Sequence, residues 1–321
     1  MAIIGTNIEE AANYLRQDEL VGMPTETVYG LAGNAFSEAA VLKIFETKRR
    51  PSFDPLIVHV ADLDGAAKVA RYIPRPARRL AEAFWPGPLT LLLPKTDKIP
   101  DLVTAGLTHV GVRMPRHPLT IKLIRQLDFP LAAPSANPFG YISPTEAQHV
   151  EDQLGNQIPY ILDGGPATIG LESTVIGFED ETAVVYRMGG LTLEQLRQYV
   201  RDIKVQAHST SNPASPGQLA SHYAPAKGLL LGTIEDLLPG YNNEEVAILS
   251  FKDTYTVPHQ FILSPAGDIS EAAQNLFKAL RKLDNSPAKI ILAEFVPDYG
   301  LGRAINDRLR RAAVPASENF S

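Results

Sequence analysis

Two stretches of alternating helical and strand periodicity, separated by a segment with neither, constrain this fold more than any other feature. The separating segment is residues 206–226, QAHSTSNPASPGQLASHYAPA, rich in Ser, Pro, Ala and Gly. By composition it is a linker, and it divides the chain into residues 1–205 and 227–321. At 321 residues the chain is too long for one ordinary core, so two domains are expected. The alternation implies an α/β architecture in both, with a largely parallel sheet in the shorter one.

Local signals fill in the longer part. Thr6 and Glu9 suggest a capping box for a helix with Ile8, Ala12 and Leu15 on one face. Ser37 caps a second helix, whose Val41, Ile44 and Phe45 form an apolar stripe and which ends at Lys48-Arg49-Arg50-Pro51. Residues 56–60 are a continuous apolar run suited to a buried strand. A helix from Pro76 to Trp85 is broken by Pro86-Gly87-Pro88 before a strand at 89–93. Ser143-Pro144-Thr145-Glu146 has the pattern of a helix start, with Ser143 as cap. In the shorter part, 246–251 and 289–295 read as strands, and 269–283 and 302–313 as helices.

Composition removes several function classes. There is no cysteine, which excludes disulfides, thiolate metal sites and cysteine nucleophiles and fits a reducing cytoplasm. A formal charge of −6 gives no global basic field for nucleic acid. No apolar run approaches the roughly 18 residues of a membrane span, and the start carries acids where a signal peptide needs lysines. A cytoplasmic protein is expected. Gly165 and Gly170 have the spacing of a Walker loop, but Leu171-Glu172 follow where Lys and Ser/Thr are required. Neither GxGxxG, HExxH nor GxSxG appears in a useful place, so bound phosphates must be held by side chains from several loops.

The side chains available for that task cluster around residues 24–59. Lys48 and Arg50 either complement a helix C-terminus in solvent or, at the entrance to a buried strand, clamp a phosphate. Thr25 and Thr27 are either turn residues or ligand hydroxyls, and His59 is either a core histidine or a ligand. Arg113 ends a strand, where α/β sheets often place ligands. The segment Ala133-Pro134-Ser135-Ala136-Asn137-Pro138 is either a plain turn or a loop that lets backbone approach a ligand closely. Ser173 and Arg187 are individually weak signals, and Glu26, Asp163 and Glu172 are scattered carboxylates.

Taken together, PTETVYGL, KxRP with Lys48 and Arg50, PLIVHV, WPGPLT, VRMPRHP, APSANPFGYISPT, DGG with GLESTV, and YRMGG follow one another across residues 5 to 200. In that order and with those gaps they resemble the YrdC/Sua5 family. SPGQLASHYAP and GLGRAINDRLRRAA resemble its long, Sua5-type branch. The resemblance implies a YrdC-like twisted mixed sheet with helices around a basic cleft, followed by a smaller Rossmann-like domain. It also implies a threonylcarbamoyl-AMP synthase: L-threonine, bicarbonate or CO2, and ATP with Mg2+ would give pyrophosphate and the adenylate used for the t6A base of tRNA. Thr27, His59, Arg113, the backbone at Ala133 and Ser173 would then hold threonine. Lys48, between threonine and the phosphates, and Arg50 would carry the catalysis, and Lys48, Arg50, Asp54, His109, Ser135, Asn137, Ser143, Arg187 and Tyr223 would contact the nucleotide, with no metal held by the protein.

Asp54, His109 and Gln218 depart from the family pattern, while His222 and Tyr223 keep it. Transient contact with the downstream t6A transferase complex or with tRNA is implied, and no membrane partner. The alternative is a tRNA- or dsRNA-binding module without adenylate-forming activity, against which the charge of −6 stands.

Overall fold

The computed structural model describes residues 1–180, 182–206 and 223–313. Eleven strands of the longer part are, in chain order, β1 (Ile3–Gly5), β2 (Val21–Met23), β3 (Gly30–Asn34), β4 (Ile57–His59), β5 (Leu89–Pro94), β6 (His109–Arg113), β7 (Leu131–Ala132), β8 (Tyr160–Leu162), β9 (Thr174–Glu179), β10 (Thr182–Arg187) and β11 (Ile203–Val205). They form a single sheet in the order β1-β8-β2-β3-β7-β4-β6-β5-β9-β10-β11. The sheet is mixed: β4–β6 and β5–β9 pair parallel, for example, while β4–β7 and β5–β6 pair antiparallel. Four further strands, β12 (Gly228–Leu231), β13 (Val246–Ser250), β14 (His259–Ile262) and β15 (Ile290–Ala293), form a second sheet. Its order is β12-β15-β13-β14 and every pair is parallel.

Alternation along the central strands divides the two faces of the large sheet. Val58 and Val112 enter the main core with Ile44 and Leu80. Ile57, His59 and Arg113 leave the other face, since His59 and Arg113 are register partners across β4 and β6. The strand β3 reads GLAGN, and no strand was expected there, because glycine is depleted in strands. Its glycines allow close approach: a Cβ on Gly33 would lie 2.9 Å from Leu20, and one on Gly30 3.2 Å from Ala133.

Two expected caps are corrected. Asn7, not Thr6, caps the first helix, Ile8–Arg16, its side chain accepting from the backbone N–H of Glu9 and Glu10. Ser143 caps nothing. The Pro144 carbonyl accepts the N–H of Tyr29 and the Thr145 carbonyl that of Ala167, which keeps the segment extended until Glu146 precedes the helix Ala147–Leu154. By contrast Ser37 caps Glu38–Lys48 as expected, accepting from Ala40 N–H at 3.2 Å.

Each sheet has an apolar cluster of its own, and a further one joins the two. Val28, Ile142 and Leu171 from the longer part share one apolar cluster with Tyr223, Leu276, Phe277, Leu280, Ile305 and Leu309. The helices Ile269–Asp284 and Gly302–Ala312 supply most of the second set. Among the described residues, no helix is long and apolar enough to cross a membrane.

Candidate active site

A cavity enclosing about 560 Å³, open solvent included, lies over the face of the large sheet that carries Ile57, His59 and Arg113. Its walls come from the β2–β3 turn, the segment after β7, the ends around β9 and β10, and Tyr223. It therefore opens on the sheet face, not simply beyond the strand C-termini.

The turn after β2 closes on itself. The Thr25 hydroxyl donates to the Val28 carbonyl at 2.6 Å and accepts the N–H groups of Thr27 and Val28. This fixes Thr27, whose hydroxyl lies 2.8 Å from that of Thr25, in the cavity wall. The next residue, Glu26, is turned away to bind Arg113 Nη2 at 2.8 Å, and its other oxygen accepts the Arg116 N–H. Arg113 is thus a buried guanidinium with a dedicated counter-charge and one side open to the cavity.

His59 is 3% exposed and faces the same space. Burial, then the Arg113 charge, pushes its pKa down to about 3, so the ring is neutral at physiological pH. Hydrogen bonding to the backbone of Ile57 and Leu131 opposes that fall, and its buried Nδ1 has no partner among the described residues.

Helix Glu38–Lys48 ends with Arg49 in a left-handed conformation (φ 52°), which sends the run of three cations in different directions. Arg49 is exposed, whereas Lys48 and Arg50 on either side are buried. The solvated-run reading fails for two of the three. Arg50 lines the cavity, with Nε and Nη2 held by the carbonyls of Asp54 and Pro55 and Nη2 2.9 Å from the Asp54 carboxylate. Burial raises the Asp54 pKa, and the Arg50 charge opposes that rise.

Lys48 sits behind the wall and binds the carbonyls of Ser135 (2.6 Å) and Asn137. Burial, and next the Arg50 charge, pushes its amine well below the ordinary lysine range. Its ammonium fastens the loop after β7, where Ala133, Pro134 and Ser135 line the cavity.

On the opposite wall, Arg187 donates from Nε to the Ser173 carbonyl and from Nη2 to its hydroxyl, at 3.1 and 3.0 Å. The hydroxyl also meets that of Thr90 at 2.7 Å. Glu172 lines the cavity beside them, its two oxygens held by Ser143 Oγ (2.6 Å) and Arg308 Nε (3.0 Å). Tyr223 completes the wall, stacked on Phe277 at 5.6 Å.

Of the residues expected from the sequence, Thr27, Arg50, His59, Arg113, Ala133, Ser135, Ser173, Arg187 and Tyr223 meet in this one cavity. Lys48, Asp54 and Ser143 stand one step behind it, each bonded to a residue of the wall. Asn137 accepts from Lys48 and donates its amide to Pro138 and Tyr141. His109 is the exception. It is exposed at the start of β6, paired with Pro94, while Arg113 at the strand's other end pairs with Thr90. Strand length alone keeps its side chain out of the cavity. Gln218 and His222 lie outside the described residues.

Sequence reasoning missed Glu172 as a wall residue, although it is adjacent to Ser173 in GLESTV, and left Thr25, which also lines the wall, open between turn residue and ligand hydroxyl. It missed Arg308 altogether. Three guanidiniums, backbone amides and hydroxyls on rigid elements make a site for an anionic ligand. Among the described residues, no three His, Asp or Glu side chains gather to hold a metal ion.

Comparison with known proteins gives this geometry a relationship. A family model described as "Telomere recombination" (Sua5/YciO/YrdC) matches residues 13–189, and one described as "Threonylcarbamoyl-AMP synthase, C-terminal domain" matches 191–314. A threonylcarbamoyl-AMP synthase of Pyrococcus abyssi (strain GE5 / Orsay) is 41% identical over 95% of this chain and 94% of its own length. One from Bacillus subtilis (strain 168) is 42% identical over 95% and 92%. A crystal structure of P. abyssi Sua5 complexed with L-threonine matches with a TM-score of 0.92 at 40% identity, covering 98% of this chain and 97% of that one. In both its domains, therefore, the chain belongs to the Sua5-type branch of the threonylcarbamoyl-AMP synthase family.

Proposed function

We infer that this chain is a nucleotidyltransferase that joins L-threonine, bicarbonate or CO2, and ATP into threonylcarbamoyl-AMP, releasing pyrophosphate. The observation that carries the reading is the convergence of Arg50, Arg113 and Arg187 with Thr27, His59 and Ser173 in one cavity. Family membership supplies the substrate class.

The chemistry asks for charge and positioning, without a protein nucleophile. Threonine's amine, having lost its ammonium proton to water, attacks the carbon of CO2, and the adduct releases a second N–H proton to water to give a carbamate. A carbamate oxygen then attacks the α-phosphorus of ATP, and the bond to pyrophosphate breaks. In this reading Arg113 pairs with the threonine carboxylate, while Thr27, His59, Ser173 and the Ala133 backbone hold the rest of the amino acid. Neutral His59, with a pKa of about 3, is too weak a base to take the amine's proton and serves as a hydrogen-bonding partner. Arg50 and Arg187 face the phosphates, and Lys48 acts through the Ser135–Asn137 loop it fastens. Ser135 and Tyr223 are the remaining nucleotide contacts in the wall; Asp54, Asn137 and Ser143 support it.

Magnesium is expected on the nucleotide. Among the described carboxylates of the site, Glu172 has both oxygens engaged and Asp54 is buried behind Arg50, so no step is assigned to the metal. The product is a mixed anhydride exposed to hydrolysis, which favours transient contact with the transferase complex or tRNA that consumes it in making t6A.

The test is pyrophosphate release from ATP with bicarbonate and each candidate amino acid in turn. Release that depends on L-threonine is expected. Equal release without an amino acid, or with any of them, overturns the reading.

A further inference from the structure

We propose that Arg308, on the C-terminal helix Gly302–Ala312, is a positioning residue for the nucleotide side of the site, so that the C-terminal domain builds part of the active-site wall. This deepens the reading above and rests on it.

Arg308 is fully buried, and its guanidinium is used on every side. Nε donates to Glu172 Oε2 at 3.0 Å, Nη2 to the Met188 carbonyl at 2.9 Å, and Nη1 to Asp307 Oδ2 at 2.6 Å. Its face lies over the Tyr223 ring, 4.8 Å from the centroid. Two of these partners, Glu172 and Tyr223, line the cavity. Among the described residues, the polar contacts of Tyr141 with Asp284, Lys278 with Glu146, Arg303 with Glu194 and Arg281 with the Ile142 carbonyl all involve residues outside the wall, while apolar packing also reaches it through Val28 and through Phe277 on Tyr223.

Tyr223 needs such a clamp. Its φ is +64°, a left-handed conformation that costs a non-glycine residue about 1–2 kcal/mol and persists only where the surroundings over-determine it. Phe277, stacked with the ring, and Arg308, over it, both from the C-terminal domain, provide that constraint. Glu172 is likewise aimed: Ser143 holds one oxygen and Arg308 the other, which fixes a carboxylate next to Ser173 and within the cavity that holds Arg187. Only a planar guanidinium can serve three acceptors in its plane and a ring on its face, so lysine is no substitute.

The experiment uses the full-length chain and the variants Arg308→Lys, Arg308→Met and, as a control for domain docking alone, Arg281→Met. KM for ATP and KM for L-threonine are measured separately, ATP affinity is measured by titration calorimetry, and thermal unfolding is followed in parallel. Both Arg308 variants are expected to weaken ATP binding and raise its KM about tenfold, the loss of one charge-assisted contact set, with the threonine KM moving far less. Arg281→Met is expected to lower the unfolding temperature without that split. Arg308 variants that lose stability yet bind ATP normally, or that weaken both substrates equally, overturn the proposal. Should the Arg308 variants fail to fold, Glu172→Gln removes the charge pair while keeping shape. An ATP-selective rise in KM then supports the proposal and an unchanged ATP KM overturns it. Calorimetry keeps the two ideas separable: a wild-type chain that binds ATP but releases pyrophosphate without regard to threonine fails the functional reading, while the Arg308 comparison still stands or falls on affinity.

Discussion

Arg50 is committed to the protein before any substrate arrives. Its donors serve the carbonyls of Asp54 and Pro55, and its charge neutralises an Asp54 carboxylate that is wholly buried. Truncating it to alanine therefore removes a cation from the cavity wall and strands an anion in the interior, a defect worth about 3–5 kcal/mol. We expect Arg50→Ala to lose pyrophosphate release and to unfold at markedly lower urea. Adding Asp54→Asn should restore much of the stability and none of the turnover. Recovery of turnover in the double variant would show that Arg50 acts only through Asp54.

His59 makes a prediction of the opposite electrostatic kind. Its value of about 3 lies below the roughly 6.5 of an unfolded chain, so between those limits the unfolded state binds more protons. Stability then rises with pH across that window and is flat above it. At pH 5 the wild type should have lost about 2 kcal/mol from this group relative to pH 7.5. His59→Gln should lack that increment, which comparison of urea unfolding for the two proteins at both pH values will check.

At the scale of elements, the sequence was legible wherever a signal is local. Ser37 and the apolar stripe after it specify a helix, and Leu56–Val60 contains a buried strand, because capping and periodicity act within a turn or two. It was illegible where a distant partner decides. Ser143-Pro144-Thr145-Glu146 has every local mark of a helix start, yet Tyr29 and Ala167 hold it extended. Whether Lys48 and Arg50 are solvated or buried depends on carbonyls at 135, 137, 54 and 55, and on a left-handed Arg49 that no pattern announces.

Gly170 belongs to the same class. It ends a segment with the glycine spacing of a phosphate loop, and the structure gives the glycine another purpose. Its φ is +75°, and a Cβ would sit 2.5 Å from Gln274 Cα on the helix Ile269–Asp284. Gly170→Ala should thus cost at least about 2 kcal/mol, through backbone strain and loosened docking together. Equilibrium unfolding near wild-type values would mean that the two parts do not pack this closely in solution.

For the whole molecule, the strand order could not be read from the chain, since β5 pairs with β9 across more than eighty residues and each strand is only a few residues long. What the two-part alternation did convey was two sheets. It did not convey that they share a core, because the joining residues, Val28, Ile142 and Leu171, each fall within loops of the longer part. This sets the expectation for a fragment ending at residue 206. The large sheet has its own core, built around Ile44, Val58, Leu80, Leu91 and Val112, so the fragment should keep its secondary structure by circular dichroism. It would, however, expose those three apolar side chains and leave Glu172 without Arg308 and the cavity without Tyr223. We expect it to melt at lower temperature, to bind a hydrophobic dye that the full chain excludes, and to lose most ATP affinity while threonine binding, which we propose rests on β4, β6 and the β2–β3 turn, declines less. A fragment that turns over ATP and threonine as the full chain does would show that the C-terminal helix merely rests against a site already complete.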